Sequence, residues 1–211
     1  MWFLPCFLYN TVMPRTGLTA EDIREKAIDA TLAKMREVGF EKVRLTDIAR
    51  KLKVSHAALY SHFKDKSDLL DAVSERWLLT LDKTLESICC QRKDPCEKIH
   101  AWALAIHRAK IEKVSHDPEL YRAFDMAAVQ SKPFVKLHLE TMHRQLLGLV
   151  KEAIAKRGLR DVNPESMTKI ILEATAGFHH PRLVAQHIGK KRGPLLRQVI
   201  DSMLKGLDLK K

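Results

Sequence analysis

Residues 46–63 read TDIARKLKVSHAALYSHF, and the spacing of their apolar side chains decides the fold. Ile48, Ala49, Leu52, Val54 and Leu59 fall where two short helices joined by a tight turn need apolar or small residues to pack against each other. Ala49 is small where the two helices must cross. On the second helix, His56, Ala57, Tyr60 and Ser61 are left facing outward. That mixture of polar, methyl and aromatic groups suits base edges in the major groove of DNA.

The flanks of this stretch are basic. Residues 42–66 carry Lys42, Arg44, Arg50, Lys51, Lys53, Lys64 and Lys66 against two acids, Asp47 and Asp65, an arrangement able to neutralise phosphates on both sides of a groove. Thr46 and Ser55 are read as the caps of the two helices, with backbone donors directed toward phosphate oxygens. The whole chain shows the same bias: 211 residues carry a formal charge of +11. Such a balance favours a polyanionic partner, nucleic acid or an anionic membrane surface.

Outward from the central stretch, helical periodicity punctuated by Pro, Gly and capping residues recurs to the C-terminus, and strand signals are nearly absent. The spacing predicts an all-α protein of about nine helices. An N-terminal three-helix helix-turn-helix domain, residues 14–66, is joined to a larger helical domain, residues 67–211. Thr19 caps the first helix, which Gly39 ends. Ser67 is read as opening a long fourth helix. Helices are expected over residues 95–114, 118–130, 133–156 and 163–180, with a kink at Pro181 before the chain continues toward Gly189 and a last helix after Gly193 and Pro194.

Residues 1–13 read as a disordered or mis-started extension. They are apolar but lack a basic region and a small-residue cleavage site, and Met13 followed by Pro-Arg-Thr-Gly is an ordinary start. No apolar run reaches the length of a membrane span. Four cysteines, Cys6, Cys89, Cys90 and Cys96, lack the spacing of a zinc site or a secreted disulfide framework, so a reduced, cytoplasmic protein is expected.

The central motif resembles the TetR family of bacterial regulators. Gly39-Phe40, Thr46, Ile48-Ala49, Val54-Ser55, Leu59-Tyr60, His62-Phe63, Lys66 and Leu69 match the family's pattern across the N-terminal third. Lys53 departs from it, since the family usually has Gly in the turn; Lys is suited there only if the backbone needs no positive φ, which leaves the turn geometry open, and it adds a phosphate contact. The resemblance implies base or sugar contacts from His56, Ala57 and Tyr60, and phosphate contacts from Thr46, Ser55, His62 and Lys66. It also implies a homodimer on double-stranded operator DNA, repression as the common outcome, and release of the operator when a small-molecule effector binds the second domain.

In that second domain, His100, Trp102 and His107 on a helix with little wet surface are the candidate ligand pocket. Apolar stripes place Phe178, Leu196, Val199, Ile200 and Met203 at the dimer interface. No cofactor, metal or membrane is expected. Adjacent His179 and His180 point about 100° apart on a helix and do not share one ion easily. Glu97-x-x-His100 and Glu140-x-x-His143 match the spacing of a di-metal carboxylate enzyme, but Glu140 lies off the apolar stripe of Val135, Leu139, Met142, Leu146 and Ala153 and should face water. Besides that enzyme, the other competing reading is a DNA-binding protein without sequence preference.

Overall fold

Thr19 opens the first helix with a reciprocal cap. Its hydroxyl accepts from the Asp22 backbone N at 3.1 Å, and the Asp22 carboxylate accepts from the Thr19 backbone N at 2.9 Å, which satisfies two donors that a helix start leaves unpaired. The structure, a computed structural model, describes residues 19–208; the extension expected over residues 1–13 lies outside them, as do the side chains of Leu207 and Asp208.

Helix α1 (Ala20–Val38) ends at Gly39, whose φ of +83° takes the chain sharply into a 3₁₀ turn, Phe40–Lys42. Then come α2 (Leu45–Leu52), α3 (His56–Tyr60) and α4 (Lys66–Cys89). Three expected boundaries shift. Leu45 is buried and belongs to α2, so Arg44 flanks that helix and Thr46 lies in its first turn rather than at its cap. After Tyr60 the chain leaves α3 earlier than residue 63, yet Phe63 still turns fully inward. At α4 the cap is Asp65, whose carboxylate accepts from the Asp68 backbone N at 2.9 Å, while Ser67 instead receives Lys132 Nζ at 3.0 Å.

The turn between α2 and α3, left open by the sequence, is of the left-handed kind. Lys53 adopts φ 55° and ψ 34°, the left-handed region that only glycine enters without a Cβ penalty. Its N–H bonds Arg50 O at 3.2 Å and the Val54 N–H bonds Ala49 O at 3.1 Å, the pairing that ends many helices with a left-handed residue. The turn therefore needs positive φ, and Lys53 is held there by the packing on either side.

Ile28 and Met35 of α1, Phe40, Ile48 of α2, Leu59, Phe63, and Leu69 and Val73 of α4 close one core. Burial of each large side chain stabilises by about 1.5–3 kcal/mol. The same core takes Leu120 and Ala123 from α6 (Pro118–Val129). Helix α4 continues into a second core, where Leu81 and Leu85 meet α5 (Pro95–His116), α7 (Pro133–Arg157), α8 (Pro164–Ala174) and α11 (Gly193–Asp208).

Between α8 and α11 the chain makes two short helices, α9 (Ala176–His179) and α10 (Pro181–Ala185). Eleven α-helices among the described residues replace the nine expected because the stretch read as one kinked helix is broken twice. Thr175 turns its hydroxyl back to Ile171 O at 2.6 Å, a bond that bends helices. Pro181 then forces His180 into an extended conformation at ψ 130° and removes a backbone donor. Side chains take over the carbonyls left behind. Arg192 Nη1 donates to Gly177 O at 2.7 Å, His107 Nδ1 to Phe178 O at 3.0 Å, Lys110 Nζ to His179 O at 2.6 Å, and Tyr121 Oη to Pro181 O at 3.1 Å.

A polar cluster is enclosed beside this turn. His138 of α7 is 2% exposed and bonds the Asp82 carboxylate through Nδ1 at 2.6 Å, so that nitrogen carries the proton and the buried Nε2 is left without a partner. This bond turns position 138 inward, whereas Leu139, expected in the apolar stripe, is 52% exposed. Lys110 is buried nearby with its ammonium 5.3 Å from the Phe124 ring centre, and burial pulls its pKa down to about 8 against the raising effect of Asp82. Burial likewise lowers His138 and His107 below the usual imidazole range, and takes His179 to about 4.

Two predictions follow from these features. Below about pH 8, where Lys110 is already charged, the buried imidazoles bind fewer protons folded than unfolded, so their contribution to stability is full above about pH 6.5, the unfolded histidine value, and is lost as pH drops toward 4. A further loss between about pH 4 and 2 is expected from Asp117, whose carboxylate is held near 2 mainly by Arg36. Urea midpoints measured across pH should trace both segments, and His179→Gln should flatten the first. Lys53→Gly relieves the left-handed strain at a smaller entropic cost in the unfolded chain; it should leave the fold intact and raise unfolding free energy by up to about 1 kcal/mol.

Candidate nucleic-acid interface

The outward face of α3 rests on a rigid frame. Leu59 and Phe63 are 0% exposed beneath it, and Ile48 and Ala49 of α2 are 1% exposed. Ser55 caps α3 as expected, its Oγ accepting from the Ala58 N–H at 3.1 Å. His56, Ala57 and Ser61 are exposed and Tyr60 is 49% exposed. The His56 and Tyr60 rings lie one turn apart, centres 6.0 Å apart and tilted by 52°. Ser61 donates to Ala58 O at 2.8 Å, leaving its oxygen lone pairs outward.

His62 is half-buried beside Phe63. Thr46 is half-buried in the first turn of α2. The ammonium of Lys66 donates to Glu41 O, tying the start of α4 to the 3₁₀ turn and leaving two further donors. Of the other basic groups, Arg50 makes only a long contact of 3.4 Å with Asp47, while Lys42, Arg44, Lys51, Lys53 and Lys64 are exposed. An exposed, largely unpaired set of cations around a projecting helix gives electrostatic attraction for a polyanion without using the groups that read bases.

This head is joined to the second domain by charge-assisted bonds that the sequence did not reveal. Asp117, 5% exposed, receives the Arg36 guanidinium through both carboxylate oxygens and Lys113 Nζ at 2.9 Å. Glu119 accepts from the Phe40 backbone N–H at 2.9 Å, and its carboxylate lies where a Cβ on Gly39 would stand 3.2 Å away. Arg122 covers the Phe40 ring at 5.2 Å. Asp117 reads in the sequence as a helix cap before Pro118; its pairing across 81 positions leaves no local signal.

The three expected pocket residues are not brought together. Trp102 is 2% exposed and donates from Nε1 to Gln145 Oε1 at 3.1 Å. His100 turns to Asp201 at 2.9 Å. His107 borders a cleft of about 760 Å³ between α5 and residues 189–197, while His100 lines a separate, smaller one of about 300 Å³ with Lys93, Glu97, Ala101 and Arg197. The sequence missed the buried group of Asp82, Lys110 and His138, because a residue type alone does not show that a charged side chain will point inward.

The expected dimer contacts also need correction. Phe178, Leu196 and Ile200 are 4%, 0% and 0% exposed, closed within the protomer mainly against its own α5 and α8, which leaves their side chains no surface for a second copy. Val199 and Met203 are half-buried. The stripes were real, but on α11 they face inward. The outer apolar groups of these helices are Ile170 and Leu195, 53% and 46% exposed.

His179 Nε2 donates to Leu172 O at 3.1 Å, and His187 Nδ1 to Leu183 O at 2.7 Å, so neither ring is arranged with His180 around a common point. Glu97 and Glu140 are exposed, and His143 pairs with Glu165 at 3.3 Å. Cys89 is half-buried, with its thiol pushed up to about 11 by burial and Glu86, far from the thiolate a redox sensor uses.

Two family models match the chain. Residues 27–73 match the bacterial regulatory proteins of the tetR family, and residues 95–199 match the tetracyclin repressor-like C-terminal domain. The HTH-type transcriptional regulator BetI of Serratia proteamaculans (strain 568) is 40% identical over 68 residues, 32% of this chain and 33% of that protein. BetI of Escherichia coli (strain SMS-3-5 / SECEC) is 26% identical over 183 residues, 84% of this chain and 79% of its own length.

Among solved structures, a regulator of the TetR/AcrR family from Thermobifida fusca YX-ER1 superposes with a TM-score of 0.67 at 22% identity, covering 88% of this chain and 98% of that one. SmeT, the repressor of the Stenotrophomonas maltophilia multidrug efflux pump SmeDEF, gives 0.61 at 21% identity, covering 90% and 91%. A helix-turn-helix with an exposed reading face, a helical second domain and matches to both halves lead to one conclusion: the chain belongs to the TetR family of transcriptional regulators and is not an enzyme.

Proposed function

We propose that the protein binds an inverted-repeat operator as a homodimer, represses from it in the cytoplasm, and leaves it when a small molecule occupies the second domain. The exposed face of α3 on its fully buried Leu59–Phe63 support carries this reading. His56, Ala57 and Tyr60 take base or sugar contacts; Ser55, His62, Lys66 and the surrounding Lys and Arg side chains take phosphates. Thr46, at the second position of α2, is offered as a phosphate contact from the helix start. The reading head is residues 14–66 and the effector and dimerisation domain residues 67–211, with α4 crossing between them.

A single α3 touches too few base pairs for useful discrimination, so two copies related by a two-fold axis are required. The outer faces of α8 and α11, with Ile170, Ala174, Leu195 and the half-buried Val199 and Met203, supply the surface. Repression is supported by the repressor SmeT, which shares this fold.

Selection of bound fragments from random DNA by the purified protein should recover an inverted repeat, resistant to nonspecific competitor. Tyr60→Ala should lose at least tenfold in affinity for that repeat and little for unrelated DNA. A pool without a shared motif would leave only nonspecific binding. Ile170→Asp combined with Leu195→Asp should shift sedimentation from dimer to monomer and weaken operator binding by at least a hundredfold, while helical content is retained. An unchanged dimer would place the interface elsewhere.

A further inference from the structure

We infer that the cleft between α5 and the segment entering α11 is the effector site and takes an organic anion with an apolar body; this rests on the regulator reading above. Its volume of about 760 Å³ falls within the roughly 300–1,000 Å³ of small-molecule sites. Leu104, Ile111 and Pro194 make an apolar wall. Around the mouth stand Arg108, Lys190, Lys191 and Arg197, against one acid, Glu112.

Those four cations are exposed, and among the described residues none has an ion pair or side-chain hydrogen bond. Elsewhere in this domain several cations that reach a neighbouring element are matched: Arg76 by Glu25 and Asp29, Lys132 by Asp71, Lys156 by Asp94. Unmatched positive charge focused on an apolar cleft raises the local concentration of anions, and guanidinium groups suit a carboxylate in particular. A nucleic-acid backbone offers the charge but nothing to fill the apolar wall.

Two residues of the cleft give occupancy a consequence. Arg192 lines it while capping Gly177 O and lying 4.3 Å over the Phe178 ring. His107 lines it while capping Phe178 O. An anion seated there competes with Gly177 O for Arg192, and so bears on the turn at Pro181. Tyr121, bonded to Pro181 O, connects that turn to α6, the helix whose start bears Asp117 and Glu119.

The test uses the full chain with three eight-carbon probes that share one apolar body: octanoate, octan-1-ol and octylammonium. Isothermal titration and melting should show octanoate binding and raising Tm, octan-1-ol at least tenfold weaker, and octylammonium without effect. Arg108→Gln with Arg197→Gln, at exposed positions, should weaken octanoate at least tenfold while helical content and operator affinity without probe are unchanged. Equal binding of octanoate and octan-1-ol, unchanged octanoate binding in the double variant, or no octanoate binding overturns the proposal. Loss of operator affinity in the double variant without probe also overturns it, by making the rim a DNA contact. If octanoate binds as described but no operator is selected, the anion site stands and the regulator reading fails; if the operator is bound and octanoate is not, the reverse holds.

Discussion

One continuous helix passes through all three apolar clusters of the described residues. Helix α4 runs 24 residues without a break, about 36 Å at the α-helical rise, and gives Leu69 and Val73 to the reading head, Leu78 to the middle layer, and Leu81 and Leu85 to the distal core. A helix packed at both ends transmits rotation and translation because neither end can slip without opening a core. The head therefore has no independent hydrophobic interior: its core is completed by α4 and by Leu120 and Ala123 of α6. Orientation of α3 is in this sense a property of the second domain.

The second connection is polar and differs in kind. Asp117 is almost enclosed, while Arg36 retains half of its side-chain exposure, 7% against 55%. Breaking that pair leaves a carboxylate without water or partner, a cost of about 3–5 kcal/mol where both charges are buried and less here because Arg36 is half wet. Apolar contacts along α4 hold the two parts together; Asp117 and Glu119 select one register between them. A change of register costs discrete bonds, which favours two states over a continuum.

How much of this was legible in the sequence depends on the range of the interaction. The head was readable because its determinants are local: Ile48, Ala49, Leu59 and Phe63 recur at helical spacing, and Ser55 caps within three residues. Boundaries there move by two or three positions: Arg44 and Asp65 replace Thr46 and Ser67 as the flanking caps, and α3 ends at Tyr60 rather than Phe63. The geometry at Lys53 is not legible because a sequence shows which residue occupies a turn but not the φ that packing imposes. In the second domain an apolar stripe announces itself without saying which neighbour it faces, so Phe178, Leu196 and Ile200 read as partner contacts although α5 and α8 already cover them. His138 displaced Leu139 because a carboxylate 56 positions away reached it, and no window of sequence contains both.

The turn at Pro181 holds its shape by means foreign to the reading head. There, three successive carbonyl oxygens are satisfied by Arg192, His107 and Lys110 rather than by backbone N–H groups, so the path of the chain is written in side chains borrowed from elsewhere. Removing any one of the three leaves a carbonyl oxygen without its donor and loosens the turn, although none of the three lies within it. In the head, α2 and α3, whose form is fixed by interlocked apolar side chains, have no such dependence on polar groups from elsewhere.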